Sequence, residues 1–391
     1  MWALLLLLIF LLTNNFVIAT PNDLPTMAPT VALTWSLVNS QGSKYDARWA
    51  SASGIDSVGN IYVIGGVLNT GSYYQRFNDV WRSSDDGVTW SSVATGNRFA
   101  IRESVCLLID SEDNLYLIGG EDAGTYYGDV WMSSDSGVTW LSVAQGTLFD
   151  ARAAHGCLVD ADDNLYILGG QYNRGNSAYN DVWKSSNSGV TWTQINIASA
   201  SFSSRFSFAA VIDSNGYMYA IGGLNSGSLN NDVWRSVDGG VTWVEVDVAG
   251  DIFSARYALG GVAANNCIYV IGGVDSSVVY DMWVSCDWGA TWKEITLLSS
   301  FDGVFNNNNV FVGGDYVYLV SQGSGTSNLY TALIAVNAPS VAPSMSPSAI
   351  STIAGTGSAG FSGDNGDATA AILNLPQLVA VDSSGISLNS L

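Results

Sequence analysis

The sequence predicts an all-β protein built as a six-bladed β-propeller. Three observations carry that prediction. The same order of signals recurs in five consecutive segments, each segment divides into four short strands, and the two chain ends supply complementary parts of a sixth. Two tryptophan columns mark the recurrence. Trp81, Trp131, Trp183, Trp234 and Trp283 form the first and Trp90, Trp140, Trp192, Trp243 and Trp292 the second, both at spacings of 50, 52, 51 and 49 residues. Glycine pairs (Gly65–Gly66, Gly119–Gly120, Gly169–Gly170, Gly222–Gly223, Gly272–Gly273) keep the same register. So do five arginines: Arg48, Arg102, Arg152, Arg205 and Arg256. Four-stranded units repeated at this length stack as propeller blades.

Residues 1–19 read as a signal peptide, with an apolar run from Trp2 to Leu12 and small residues Val17 and Ala19 before a cleavage point at Thr20. The run is too short to span a bilayer. An uncleaved signal anchor is the alternative. Thr34–Val38 then matches a fourth strand with no first three before it. Within each unit the second one serves as the pattern. Strand a is Ser104–Asp110, strand b Leu115–Gly119, strand c Asp129–Ser133 and strand d Thr139–Val143, with polar turns between. Each glycine pair ends strand b where a side chain would crowd a neighbouring backbone. After the fifth unit, Val310–Val312, Tyr316–Val320 and Asn328–Ala335 supply strands a, b and c without a tryptophan-bearing strand d. The N-terminal strand should complete that blade and leave no open sheet edge, giving a propeller over residues 33–337. Residues 338–349 form a Pro/Ser-rich linker.

The glycine-pair, aromatic and tryptophan columns resemble a kelch-type propeller of the kind found in the galactose-oxidase central domain. The turns Ser84–Trp90 and their four counterparts resemble the Asp-boxes of sialidase-type propellers. Residues 350–391, with Ile350–Asp364 and Leu378–Asp382, resemble the opening of an NHL-type repeat that is cut short, as a truncated or mis-spliced product would be. The kelch and Asp-box likenesses imply a fold and little about function, because both motifs are structural.

The 391 residues carry 34 acidic against 13 basic side chains, a formal net charge of −21. Such a chain repels nucleic acid and anionic membrane surfaces, and no membrane insertion is expected once the signal is removed. A secreted, extracellular protein follows from the signal peptide. Asn-x-Ser/Thr is absent from the sequence, so N-glycosylation is not expected.

The candidate ligand-binding residues fall into two groups. The arginine column would place guanidinium forks around the mouth of the central channel; the alternative is that each arginine bonds carbonyls or acids of the adjacent blade. The loops between strands b and c bring Tyr73, Tyr74, Tyr126, Tyr127, Tyr172 and Tyr179 to one face among Asn, Ser and Gly. That mixture suits binding loops, and ordinary loop composition is its counterpart. These loops vary between units, as a site grafted on a scaffold should.

No cofactor, catalytic residue or metal site is expected. The carboxylates Asp85, Asp135, Asp238 and Asp287, with Asn187 in their column, should pin tight turns. The acidic turns at Asp110–Asp113 and Asp160–Asp163 lack the spacing of a calcium loop. His155, the one histidine, excludes the two-imidazole copper site that galactose oxidase uses. Cys267 and Cys286 lie opposite each other in one hairpin and form a candidate disulfide. Cys106 and Cys157, four and five residues after their arginines, fall on opposite faces of equivalent strands and are expected to be buried free thiols. The function so predicted is a non-catalytic binding module for a glycan or an extracellular protein. The alternatives are a sialidase-like or other glycan-processing enzyme and a structural spacer in a larger extracellular protein.

Overall fold

The computed structural model describes residues 33–38, 40–146, 148–173, 177–196, 202–297, 309–322, 327–333, 378–382 and 385–389. Residues 1–19, read above as a signal peptide, and residues 338–349, read as a Pro/Ser-rich linker, lie outside the described residues.

Six four-stranded antiparallel sheets make up the first of two compact units, Met1–Val336. Blade 1 has strands a (Ala52–Ile55), b (Ile61–Ile64), c (Val80–Ser83) and d (Ser91–Ser92). Blade 2 comprises Cys106–Ile109, Leu115–Ile118, Val130–Ser133 and Leu141–Ser142, and blade 3 Gly156–Val159, Leu165–Leu168, Val182–Ser185 and Thr193–Gln194. Blade 4 is Ala209–Ile212, Met218–Asn225, Ser228–Ser236 and Val244–Glu245; blade 5 is Gly260–Ala264, Cys267–Val274, Val278–Ser285 and Lys293–Glu294. In blade 6, Val310–Gly313, Tyr316–Gln322 and Ser327–Leu333 are joined by the N-terminal strand Trp35–Leu37, with Trp35 opposite Ala332. The closure expected from the chain ends is therefore present. From the second unit, Asn337–Leu391, the described residues form one hairpin, Leu378–Asp382 with Gly385–Asn389.

The hydrophobic core is divided among the six blade interfaces. Between blades 1 and 2, Tyr62, Ile64 and Val80 meet Val105, Leu107, Leu117 and Trp140. Each tryptophan of the second column turns toward the preceding blade and packs edge-on against the aromatic three residues before the arginine of its own blade, as in Trp140–Phe99 at 5.2 Å and Trp192–Phe149 at 5.3 Å. A ring of backbone bonds adds to this. Ser104 N–H donates to Ala50, Ala154 to Ser104, Ser207 to Ala154 and Ala258 to Ser207, at 2.7–2.9 Å. These five small residues all take φ of 50–54°, a left-handed conformation that ends the approach to strand a.

Two local differences from the expected strands have physical causes. Strand a of blade 2 starts at Cys106 rather than Ser104, because Ser104 is the left-handed link in that ring. The b–c segments read as loops contain extra two-stranded hairpins, Val67–Asn69 with Tyr74–Arg76 and Glu121–Asp122 with Thr125–Tyr126 among them. In blades 4 and 5 the main strands simply run on through a register shift at the glycine pair.

Candidate functional site

The arginine column is buried. Arg48, Arg102, Arg152, Arg205 and Arg256 are at most 1% exposed. Each guanidinium forks onto the aspartate that opens strand c of its own blade: Asp79, Asp129, Asp181, Asp232 or Asp281. In blade 3, Arg152 Nη1 and Nη2 donate to Asp181 Oδ1 and Oδ2 at 2.6 and 2.8 Å, and Nη1 also donates to the Gly169 carbonyl at 2.8 Å. Trp183 Nε1 donates to Asp181 Oδ2 at 2.7 Å, completing a quartet that recurs in each of the five arginine-bearing blades. The arginine carbonyl meanwhile accepts from the glycine pair of the preceding blade, as Arg152 does from Gly120 at 2.9 Å. A Cβ on Gly119 would lie 2.7 Å from that carbonyl, which is why a glycine is needed there. The guanidiniums are thus committed within their own blades, and the acid they meet is not on the adjacent one.

The tyrosines divide by position. Tyr127 lies over Arg102 and Tyr179 over Arg152, 4.2 and 4.3 Å from ring centroid to guanidinium carbon, as Phe77 lies over Arg48. Burial raises the pKa of both phenols. Tyr126 is half-buried, opposite Glu121 in its hairpin. Tyr73, Tyr74 and Tyr172 are exposed at 61%, 57% and 44%. Tyr172 packs against Tyr179 at 4.5 Å with the rings tilted by 38°, so a ladder runs from buried guanidinium to an open ring. Arg76 ties the blade 1 hairpin to blade 2 through Glu103 at 2.7 Å and Asp122 at 3.6 Å.

A family profile described as the KLHDC2/KLHL20/DRC7 Kelch-repeats domain matches residues 17–223 and, in an overlapping second match, 136–321. The chain belongs to the kelch-repeat family. A search of curated proteins finds no match.

At the axis of this kelch propeller, a channel of about 230 Å³ is lined by strand a of every blade, including Ser53, Ile55, Leu107, Ile109, Val310 and Phe311. Its lining holds no titratable side chain among the described residues. No group of three or more His, Cys, Asp or Glu among them is gathered as a metal site. On the face opposite the b–c hairpins, Asp85 Oδ1 accepts from Thr89 N–H at 2.7 Å and Oδ2 from the Thr89 hydroxyl at 2.6 Å; these bonds hold its carboxyl below the usual range. Ser83 Oγ accepts from Gly87 N–H, and Trp90 Nε1 donates to the Gly87 carbonyl. The acidic a–b turns link blades: Asp113 accepts from Ser57 and Asp163 from Ser111.

The cysteines require a correction. Cys106 and Cys157 are bridged rather than free, and Cys267 is bridged to Cys286. The one-residue offset does place the two side chains on opposite faces of equivalent strands. Facing surfaces of neighbouring blades are opposite faces of equivalent sheets, so a one-residue offset is what a bridge between blades 2 and 3 needs. Both cysteines accordingly border the same interblade core. Replacing Cys106 and Cys157 together by alanine is expected to cost about 2–4 kcal/mol, since the bridge closes a long loop of the unfolded chain. Urea denaturation with and without reductant checks this: the reductant breaks Cys267–Cys286 in both proteins, so it should lower wild-type stability by about 2–4 kcal/mol more than it lowers the variant's.

Proposed function

We propose that this kelch propeller is a binding module of the extracellular space that recognises a protein through its b–c hairpin face. The observation that carries this is the exposure of Tyr73, Tyr74 and Tyr172 on that face, while Tyr127, Tyr179 and the arginine column are consumed by the scaffold. Exposed tyrosines offer large contact area at small entropic cost, and interfaces concentrate their energy in such residues. Fixing Arg76 between Glu103 and Asp122 holds the Tyr73–Tyr74 hairpin before a ligand arrives. Two disulfides suit an oxidising compartment, in keeping with the signal-peptide reading of residues 1–19.

A glycan on such a protein is the second reading, favoured by the amides of Asn69 and Asn173 beside the open rings, which match hydroxyl groups as the rings match C–H faces. The glycan-processing alternative needs two converging acids, and the channel lining has none among the described residues.

The triple variant Tyr73→Ala, Tyr74→Ala, Tyr172→Ala tests the reading. Screened against extracellular proteins and a glycan array beside the wild type, it should bind at least about tenfold more weakly while its melting temperature stays within about 2 °C. Equal binding by the two proteins would move the site off the hairpins, and no binding by either would leave a spacer.

A further inference from the structure

Blades 1 and 4 build the same small frame at the outer rim of the hairpin face and fill it differently, and blade 3 fills the corresponding place from another position. In blade 1, Asn78 Nδ2 donates to the Phe99 carbonyl at 3.2 Å. The chain's own Arg98 then occupies the frame, its Nε donating to the Asn78 carbonyl at 2.7 Å and its Nη2 lying 3.5 Å from Asn78 Oδ1. In blade 3 the occupant is Asn196, whose Nδ2 donates to the Asn180 carbonyl at 2.7 Å. Blade 4 repeats the frame, with Asn231 Nδ2 donating to the Phe253 carbonyl at 3.3 Å. Both donor positions have changed there. The residue before the aromatic, Arg98 in blade 1, is Ile252, and the fourth residue after the strand-d tryptophan, Asn196 in blade 3, is Asp247.

The result is a groove of about 410 Å³ lined by Asn231, Glu245, Asp247, Val246, Val248 and Ile252. Asp232 borders it but is held by Arg205 at 2.7 Å. The Glu245 and Asp247 carboxylates make no hydrogen bond or ion pair among the described residues. We propose that this groove receives an arginine side chain of the partner protein, an inference that rests on the protein-interaction reading. A guanidinium supplies the planar N–H donors that Arg98 supplies in blade 1, the carboxylates take its charge, and the valines and isoleucine cover its alkyl stem. A chain of net charge −21 also draws in a basic partner segment.

The test uses the full chain with labelled methyl groups and the probe acetyl-Gly-Arg-Gly-amide, beside its lysine and citrulline counterparts. The arginine probe should shift the methyl signals of Val246, Val248 and Ile252 with millimolar affinity, the citrulline probe should not, and the lysine probe should be weaker. Glu245→Gln with Asp247→Asn should weaken binding about tenfold. Ile252→Arg should fill the groove as Arg98 fills blade 1 and abolish the shifts without lowering the melting temperature. No shift at about 10 mM arginine probe, or an equal response to citrulline, overturns the proposal. The triple tyrosine variant keeps this groove intact. Arginine shifts retained in a protein whose partner binding ignores the tyrosines would therefore sink the hairpin reading alone, and the converse pattern would sink the groove alone.

Discussion

Replacing Asp181 by alanine is expected to destabilise the propeller by about 3–5 kcal/mol, the cost of leaving a buried charge without its partner. Arg152 is fully buried and loses both charge-assisted bonds at once, and Trp183 Nε1 loses its acceptor. Water cannot simply replace the carboxylate, because Tyr179 lies over the guanidinium and the Gly169 carbonyl occupies one of its edges. The loss should exceed that of a turn change such as Asp85→Ala, where exposed Thr89 groups find solvent instead. Urea denaturation of Asp181→Ala and of the double variant Arg152→Met with Asp181→Leu decides the matter. The double variant should recover part of the loss, since removing both charges removes the desolvation penalty with the attraction. A loss under about 1 kcal/mol in the single variant would mean that the quartet is solvated and easily dispensed with.

How far the sequence exposes this quartet is instructive. The blades were legible because tryptophan, glycine-pair and arginine columns all keep one register, and because Trp35 supplies the fourth strand missing after Leu333. The acid partner of the arginine was also in view: Asp79, Asp129, Asp181, Asp232 and Asp281 precede each first tryptophan by two residues, one acid to one arginine. Equal stoichiometry along a repeat signals a pair internal to each unit. The same test sorts the tyrosines. Tyr127 and Tyr179 stand two residues before the aspartate, where blade 1 has Phe77, so they belong to the column and cap its arginine. Tyr73, Tyr74 and Tyr172 stand outside it and remain exposed. The Cys106–Cys157 bridge needed the blade-to-blade geometry, in which adjacent sheets present opposite faces, and strand parity within one sheet could not reveal its outcome. The blade 4 groove depends on comparing what fills one frame in blades 1 and 4, which requires the hydrogen bonds themselves.

Acid should weaken the wild-type propeller through His155 in a way that His155→Phe abolishes. The imidazole is fully buried, and that burial, with the nearby Arg152 charge, lowers its pKa from 6.5 to about 3. Above the unfolded value both states hold it neutral, so it contributes no pH dependence. As pH falls below 6.5 the unfolded chain takes up a proton that the folded chain refuses, and stability falls until the folded pKa near 3 is reached. At pH 4.5 the loss from this one residue is about 3 kcal/mol, on the order of 1.4 kcal/mol per pH unit. The variant has a precedent inside the molecule. Three residues after the arginine, blade 4 carries Phe208 where blade 3 carries His155, and each side chain lies against the glycine pair of the preceding blade: a Cβ on Gly119 would meet His155 Cε1, one on Gly169 Phe208 Cε1. Carboxylates titrate alike in both proteins, so the difference between their urea stabilities at pH 7.5 and 4.5 isolates the histidine. Parallel acid profiles for the two would show that His155 takes up its proton inside the folded protein, which the dry wall between blades 2 and 3 should not permit.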